Sequence, residues 1–389
     1  MLAVLAEDWE QGGFGLYIHW PFCAAKCPYC DFNSHVSRSI DHSAWRDGYM
    51  AELRRAACET KGRVLRSVFF GGGTPSLMEP DVVADIMSEI YRLWPTANDL
   101  ETTLEANPGS VEAGRFSAFR QAGINRISMG VQALNDEDLR RLGRIHTVAE
   151  ARTAFDVART TFDRVSFDLI YGRQKQTLND WKSELKQALN MAIDHLSLYQ
   201  LTIEQGTAFG DRYNAGKLAG LPSDDLGADM YEATQDLCGE AGMPSYEVSN
   251  HARDGAQSRH NLVYWRYGDY VGIGPGAHGR LTINGQRTAT ECYSNPKRWL
   301  SAALAGQTEK PREPLAREDQ ASELLLMGLR LKEGIDPKRF FNLLGRNIDQ
   351  NALNELIDLN LIHNQKDRII VSNQGFMILN AVLRRLLEA

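Results

Sequence analysis

Three cysteines, Cys23, Cys27 and Cys30, share the run Cys-Ala-Ala-Lys-Cys-Pro-Tyr-Cys, whereas Cys58, Cys238 and Cys292 stand alone. Thiolates gathered in one loop suit a metal centre, and Pro21 and Pro28 shape this segment as a loop. Three ligands rather than four is the telling detail. A cubane iron–sulfur cluster has four irons, which cysteines ordinarily saturate. Three thiolates leave one iron open to a further ligand. A structural zinc site closes with four ligands, commonly from two separated pairs. Here there is one C-x2-C pair, and His19 or His35 would have to complete the set. A disulfide framework fits poorly with six cysteines in 389 residues and no secretory leader. An iron–sulfur cluster is the leading reading.

Other residues could serve such a centre. Gly71-Gly72-Gly73 before Thr74-Pro75 lets backbone amides approach a polar ligand, since no Cβ intervenes; a tight strand-to-helix turn is the plainer reading. Glu105 and Asp168 close otherwise apolar runs, and buried carboxylates are rare unless paired or bound. They suit ribose hydroxyls or an ammonium group, with a helix cap or an arginine pair as the alternative. Arg144 would meet a carboxylate with two parallel bonds, although arginine on a helix surface is commoner. His260-Asn-Leu-Val-Tyr264-Trp265 offers an imidazole and two aromatic rings to a flat iron macrocycle. By composition alone it reads as a half-buried aromatic strand. Cys58, Cys238 and Cys292 read as small buried hydrophobes, and Phe340 and Phe341 as core.

Positioning these residues is the work of alternating elements. Strands are expected at Leu16–His19, Val68–Phe70, Leu100–Glu105, Arg126–Met129, Arg164–Asp168 and His195–Tyr199. Helices are expected at Ala44–Cys58, Asp81–Leu93, Val111–Ala122, Asp136–Leu142, Val148–Thr160 and Leu178–Ala192. The alternation predicts an α/β fold with a parallel sheet, a partial (β/α)6 barrel. Chemistry in that architecture sits at the strands' C-terminal ends. The cysteine loop, the glycine run, Glu105, Gln132, Asp168 and the pair Gln200 and Thr202 all fall there. After residue 205 the alternation fades, and Tyr246–Arg280 shows no strong period. Gln307–Arg317 reads as a linker. Helices at Glu318–Lys332, Pro337–Leu344 and Asn351–Leu359, a hairpin of Leu361–His363 with Arg368–Val371, and a helix at Asn373–Leu387 resemble a winged-helix module. The expected division is 1–205, 206–306 and 318–389.

The chain is 43% hydrophobic and 24% charged with net charge −7. The acidic balance opposes a nucleic-acid partner held through phosphates, and the winged module carries no dense basic face. No uninterrupted apolar stretch reaches membrane-spanning length. The N-terminus is too short and acidic for a signal peptide, so a cytoplasmic location is expected.

With these motifs in hand, the chain resembles the radical S-adenosylmethionine superfamily, whose cysteine loop carries an aromatic residue, here Tyr29, before its last cysteine. More narrowly, Tyr17-Ile-His-Trp-Pro-Phe-Cys23, Gly-Gly-Gly-Thr-Pro, Glu105, Gly130-Val-Gln132, Asp168-Leu-Ile-Tyr-Gly and the C-terminal module are similar to the oxygen-independent coproporphyrinogen oxidase-like family over nearly the whole chain. The resemblance implies a [4Fe–4S] cluster on Cys23, Cys27 and Cys30, with S-adenosylmethionine on the open iron. Tyr17, Tyr29, Gly72, Gly73, Thr74, Glu105, Gln132, Arg144 and Asp168 would surround these cofactors. The family's dehydrogenase branch has a further cysteine two residues after the third, where this chain has Phe32. Its heme-chaperone branch instead has Asp-Phe there and a His-Asn-x-x-Tyr-Trp motif, matched by Asp31-Phe32 and His260–Trp265. Two departures stand out: Arg173-Gln174-Lys175 replaces a Pro-containing turn, and Gln200 replaces a small residue.

The implied protein is a heme chaperone with one heme per monomer, His260 as heme ligand or attachment residue, and no catalytic residue assigned. It would pass heme to an acceptor such as a respiratory hemoprotein, as monomer or homodimer, with peripheral membrane contact compatible with transfer. Oxidative decarboxylation of coproporphyrinogen III is the alternative.

Overall fold

A computed structural model describes residues 7–37, 39–110 and 113–388; the extreme N-terminus read above for a leader, and Val111, lie outside them. Six parallel strands run in chain order side by side: Phe14–Trp20 (β1), Leu65–Gly72 (β2), Thr96–Ala106 (β3), Arg126–Gln132 (β4), Arg164–Tyr171 (β5) and His195–Gln200 (β6). On β1, Phe14, Leu16, Ile18 and Trp20 are fully buried. The alternate residues Gly15, Tyr17 and His19 point the other way, because side chains on a strand alternate between faces. His42–Glu59 (α1), Pro80–Leu93 (α2), Ala113–Gln121 (α3), Asp136–Arg141 (α4), Val148–Thr161 (α5) and Leu178–Met191 (α6) lie between the strands. Their starts are written in the sequence. Thr147 with Glu150, and Thr177 with Asp180, form reciprocal capping boxes that satisfy free amides at the starts of α5 and α6.

After β6 the regular alternation stops but the sheet does not. Asn250–Ala252 (β7) pairs antiparallel with β6 at one edge. Asp269–Ile273 (β8) inserts parallel beside β1 at the other, followed by antiparallel His278–Ile283 (β9), Gln286–Glu291 (β10) and Glu313–Pro314 (β11). The eleven-stranded order is β11-β10-β9-β8-β1-β2-β3-β4-β5-β6-β7. The expected linker thus donates an edge strand, and Pro314 is tolerated because an edge residue need not donate to a ladder. Three helices also went unread: Ala208–Asn214 (α7), Asp224–Glu240 (α8) and Pro296–Ala303 (α10). Trp299 of α10 stacks on Trp45 of α1 at 5.4 Å and 7°, which clamps the extension to the barrel's shell.

The segment expected as an aromatic strand is a helix, Arg259–Trp265 (α9). Ser258 caps it by accepting the Asn261 amide, and the buried Glu101 carboxylate of β3 accepts the amides of Arg259 at 2.9 Å and His260 at 3.4 Å. An anion on the first free amides and the positive end of the helix dipole outweighs the β tendency of the aromatic residues.

The C-terminal unit has its own core, in which Leu324, Leu325, Phe340, Leu353, Leu356, Ile362, Val371 and Leu383 are buried. It holds helices Arg317–Gly328 (α11), Pro337–Leu344 (α12) and Gln350–Asp358 (α13), and the hairpin Ile362–Gln365 (β12) with Arg368–Val371 (β13). The expected last helix is broken at Ile378 into Asn373–Met377 (α14) and Leu379–Leu387 (α15), and the break lets Phe376 and Leu379 both reach the core. Phe340 is core as expected but Phe341 is 47% exposed. Cys238 and Cys292 are buried as expected, whereas Cys58 is exposed on α1. Arg339 fastens the unit to the barrel, donating to the Asp8 carboxylate at 2.8 and 2.9 Å and to the Arg266 carbonyl at 3.0 Å. Among the described residues, no helix is long and apolar enough to cross a membrane.

Candidate functional site

The C-terminal ends of β1 to β5 open onto one cleft of about 760 Å³. Cys23, Cys27, Tyr29, Cys30, Gly72, Gly73, Thr74, Glu105, Gln132, Arg144 and Asp168 all line it. Tyr17 lies just beyond, in an adjoining cavity that shares Gly72 and Glu105 with the cleft. Gln200, the last residue of β6, and Thr202, just beyond it, are not brought in: both are exposed. Ser34, Asn107 and Ser128 are lining residues that the sequence reading missed. Ser34 and Asn107 lie in loops and Ser128 within β4, and a lone serine or asparagine carries no pattern of its own.

The glycine run works differently from the expected amide cradle. Its amides are already used: Gly72 N donates to Glu105 Oε2 at 3.1 Å, Gly73 N to the Trp20 carbonyl at 2.7 Å, and Thr74 N to the Phe22 carbonyl at 2.8 Å. A Cβ on Gly73 would stand 2.6 Å from the Phe22 carbonyl oxygen, and one on Gly72, whose φ is +113°, 2.6 Å from the His19 ring. The glycines therefore press the end of β2 against the segment that starts the cysteine loop. Thr74 Oγ1 then donates to Cys23 Sγ at 3.5 Å.

The carboxylates sit where burial works against their charge. Desolvation pushes Glu105 up to about 7, with the Asp168 charge adding to the rise and the Gly72 amide opposing it. Asp168 is raised to about 6 by the same burial, while Arg144 and Gln132 hold it down. Asp168 accepts the Val131 amide at 3.0 Å and the Gln132 side-chain amide at 2.8 Å. Gln132 adopts φ +72°, a left-handed backbone unusual for a residue other than glycine. That strain aims its amide at Asp168 instead of along the strand.

Arg144 is not the surface arginine of a helix. It donates to the Gly130 carbonyl at 2.7 Å and to Cys27 Sγ at 3.4 Å, and its buried Nε has no partner among the described residues. A cation with an unspent donor beside three thiols suits an anionic ligand. Burial raises the Cys23 and Cys30 thiols. Among the described residues, no three His, Cys, Asp or Glu side chains close around a single ion. The donor set fits a three-cysteine iron–sulfur cluster with one open iron, flanked by carboxylates and an arginine suited to the hydroxyl, ammonium and carboxylate groups of S-adenosylmethionine.

His260 lies below this mouth, 1% exposed. Its Nδ1 meets Ser67 Oγ of β2 at 2.8 Å, and its Nε2 meets the Tyr264 hydroxyl at 2.6 Å. The ring stacks on Phe69 at 5.0 Å. Burial lowers it to about 3, so the imidazole is neutral.

Comparison with known proteins follows this geometry. The radical SAM superfamily model matches residues 17–188 and the HemN C-terminal domain model residues 315–378. The heme chaperone HemW of Haemophilus influenzae is 39% identical over 95% of this chain and 96% of its own length. The bovine (Bos taurus) protein named radical S-adenosyl methionine domain-containing protein 1, mitochondrial, is 40% identical over 82% of this chain and 74% of its own. The structure of coproporphyrinogen III oxidase HemN from Escherichia coli superposes with TM-score 0.80 over 96% of this chain and 90% of that one, at 22% identity, and so shares the fold. The three-cysteine mouth, the parallel barrel, the C-terminal module and these end-to-end identities lead to one assignment: the chain belongs to the radical S-adenosylmethionine superfamily and, within it, to the coproporphyrinogen oxidase-like family, in the HemW branch.

Proposed function

We propose that the protein is a heme chaperone. It binds one heme per monomer, carries a [4Fe–4S] cluster on Cys23, Cys27 and Cys30, and holds S-adenosylmethionine against the cluster. Heme then passes to an acceptor hemoprotein, a respiratory enzyme among the candidates. The observation that carries this reading is the near full-length identity with HemW chaperones. Phe32, standing where a dehydrogenase would have a cysteine, supports it.

In this reading residues 1–205 hold the cluster and S-adenosylmethionine, 206–306 the heme motif, and 318–389 a packing or partner-binding module. When bound, the cluster and S-adenosylmethionine supply reductive radical chemistry, or a structural switch, at the barrel mouth. The chain's own residues orient them. Arg144 offers its free Nε to a carboxylate, Glu105 and Asp168 accept from hydroxyl or ammonium groups, and Tyr17 and Tyr29 wall the site. The His260–Trp265 helix contributes to the heme site. A cytoplasmic location, with peripheral membrane contact during transfer, goes with this reading.

The test is a hemin titration of anaerobically reconstituted protein and of His260→Ala. Stoichiometric uptake by the wild type, weakened in the variant, is expected. Wild type that takes up no hemin, yet turns over coproporphyrinogen anaerobically with a reductant, would replace the chaperone by the decarboxylase.

A further inference from the structure

Each cysteine sulfur at the barrel mouth is met by a side-chain donor from a different part of the chain. Thr74 Oγ1, just past β2, lies 3.5 Å from Cys23 Sγ, and Arg144 Nη1 lies 3.4 Å from Cys27 Sγ. Ser34 Oγ, on the tail of the cysteine loop itself, stands 3.9 Å from Cys30 Sγ and also hydrogen-bonds Cys23. Ser34 and Thr74 are 5% and 7% exposed, so water has little access to either hydroxyl. Among the described residues, neither hydroxyl has a partner other than a cysteine sulfur. Buried hydroxyls are ordinarily satisfied by oxygen acceptors, so two that turn to sulfur alone call for an explanation.

The backbone holds both where they are. Ser34 N donates to the Phe32 carbonyl at 2.7 Å, His35 N to the Pro21 carbonyl at 2.7 Å, and Thr74 N to the Phe22 carbonyl at 2.8 Å. Both hydroxyls are thus pinned to the segment that opens the cysteine loop. A thiolate bound to iron has no proton to give, so in each pair the hydroxyl is the donor.

We propose that Ser34 and Thr74 are positioning residues for electron transfer, whose O–H groups donate to Cys30 and Cys23 and raise the reduction potential of the cluster. The inference rests on the three-cysteine cluster reading above and deepens it. In the step concerned, the cluster takes one electron from an external one-electron reductant; no bond forms or breaks and no proton moves. The added negative charge spreads over iron and sulfur, the cysteine sulfurs included. An O–H dipole aimed at such a sulfur therefore stabilises the reduced state more than the oxidised one, and hydrogen bonds to sulfur are a recognised control of cluster potential. With little water to compete, each bond counts for more. Arg144 acts on Cys27 in the same sense, but it also faces the S-adenosylmethionine site. The two neutral hydroxyls separate the effect on potential from the effect of a charge.

A redox titration with dithionite, followed by EPR of the reduced cluster, tests this on reconstituted full-length protein without S-adenosylmethionine. Ser34→Ala and Thr74→Val should each lower the reduced-to-oxidised ratio at a fixed potential about threefold. The double variant should lower it about tenfold, a downward shift of about 59 mV. Thr74→Ser, which keeps the hydroxyl, should retain the wild-type potential. In resonance Raman spectra the wild-type iron–cysteine stretching bands should move on transfer to heavy water, and move less in the double variant. Wild-type potential in the double variant, with its iron content intact, would overturn the proposal. So would a Thr74→Ser potential as low as that of Thr74→Val, since packing and not the hydroxyl would then be the cause. If the variants fail to hold a cluster, wild-type bands that stay fixed in heavy water would overturn it instead. Wild type that assembles no cluster would overturn the cofactor reading and the proposal with it.

Discussion

Glu105 sits at the end of β3, in a place that a stability-optimised protein would give to an uncharged residue. Its carboxyl is raised to about 7, first by burial and then by Asp168. It takes up a proton more readily folded than unfolded, so its contribution to stability is complete below the unfolded pKa and is lost as pH rises through about 7. The titratable groups that feel its charge are Asp168, Tyr17, Tyr199 and Tyr264. Glu105→Gln should therefore stabilise the cofactor-free protein at pH 8 by about 2–3 kcal/mol and do almost nothing at pH 4. Thermal unfolding at both pH values checks this. An equal shift at the two would show that the carboxylate's charge is not the cause. The same substitution should weaken S-adenosylmethionine binding, which would mark the residue as kept for its ligand.

Arg144 makes the complementary case. Lysine carries the charge and three donors, but they radiate from one nitrogen and cannot span the Gly130 carbonyl, Cys27 Sγ and a ligand as the planar guanidinium does. Arg144→Lys should raise the S-adenosylmethionine Kd about tenfold or more, as the loss of one charge-assisted bond does, while the cluster absorption persists. Equilibrium binding on the reconstituted variant decides the matter. At this scale the sequence was most legible. The cysteines and carboxylates betray themselves by type and spacing, Gln132 and Arg144 were pointed to by the family resemblance, and all of them line one cleft. The role of His260 was not legible, because its Ser67 partner is 193 residues away and nothing local announces it.

Among the elements, α9 depends on a residue far outside it. Glu101 of β3 accepts the first amides of that helix and is 5% exposed. Glu101→Ala should leave buried amides without an acceptor, at a cost of about 2–4 kcal/mol, and should lower hemin affinity by loosening α9, which carries the His260–Trp265 motif. Chemical denaturation and hemin titration of the variant together test both halves. Wild-type stability would show that water satisfies those amides. The six βα units were readable because their strands are short apolar runs between periodic helices. β8 and α9 were not, since a Gly- and Tyr-rich stretch has no dominant period. β8 becomes a strand only by lying beside β1, whose Phe14 pairs with Asp269, 255 positions further along the chain. Helix α8 did carry a signal, with Ser223 capping and Asp224 and Asp225 in its first turn, but its mixed faces gave no clear stripe.

For the whole molecule, charge and topology point the same way. A net charge of −7 on a barrel with a hairpin-bearing C-terminal unit predicts no retardation of duplex DNA even at low salt. Retardation that weakens steeply with salt would reopen a nucleic-acid role for that unit. Its own core and its Arg339–Asp8 tie instead make it a brace against the underside of the barrel.

The most direct measurement is heme transfer. Protein reconstituted with the [4Fe–4S] cluster, loaded with one heme and supplied with S-adenosylmethionine, is mixed with a heme-free respiratory hemoprotein. The account predicts that the acceptor's heme spectrum and activity appear as the donor's heme absorption falls. The Cys27→Ser variant, which lacks the cluster, should transfer little. A heme-loaded wild type that keeps its heme in the presence of the acceptor, and that converts coproporphyrinogen instead, would contradict it.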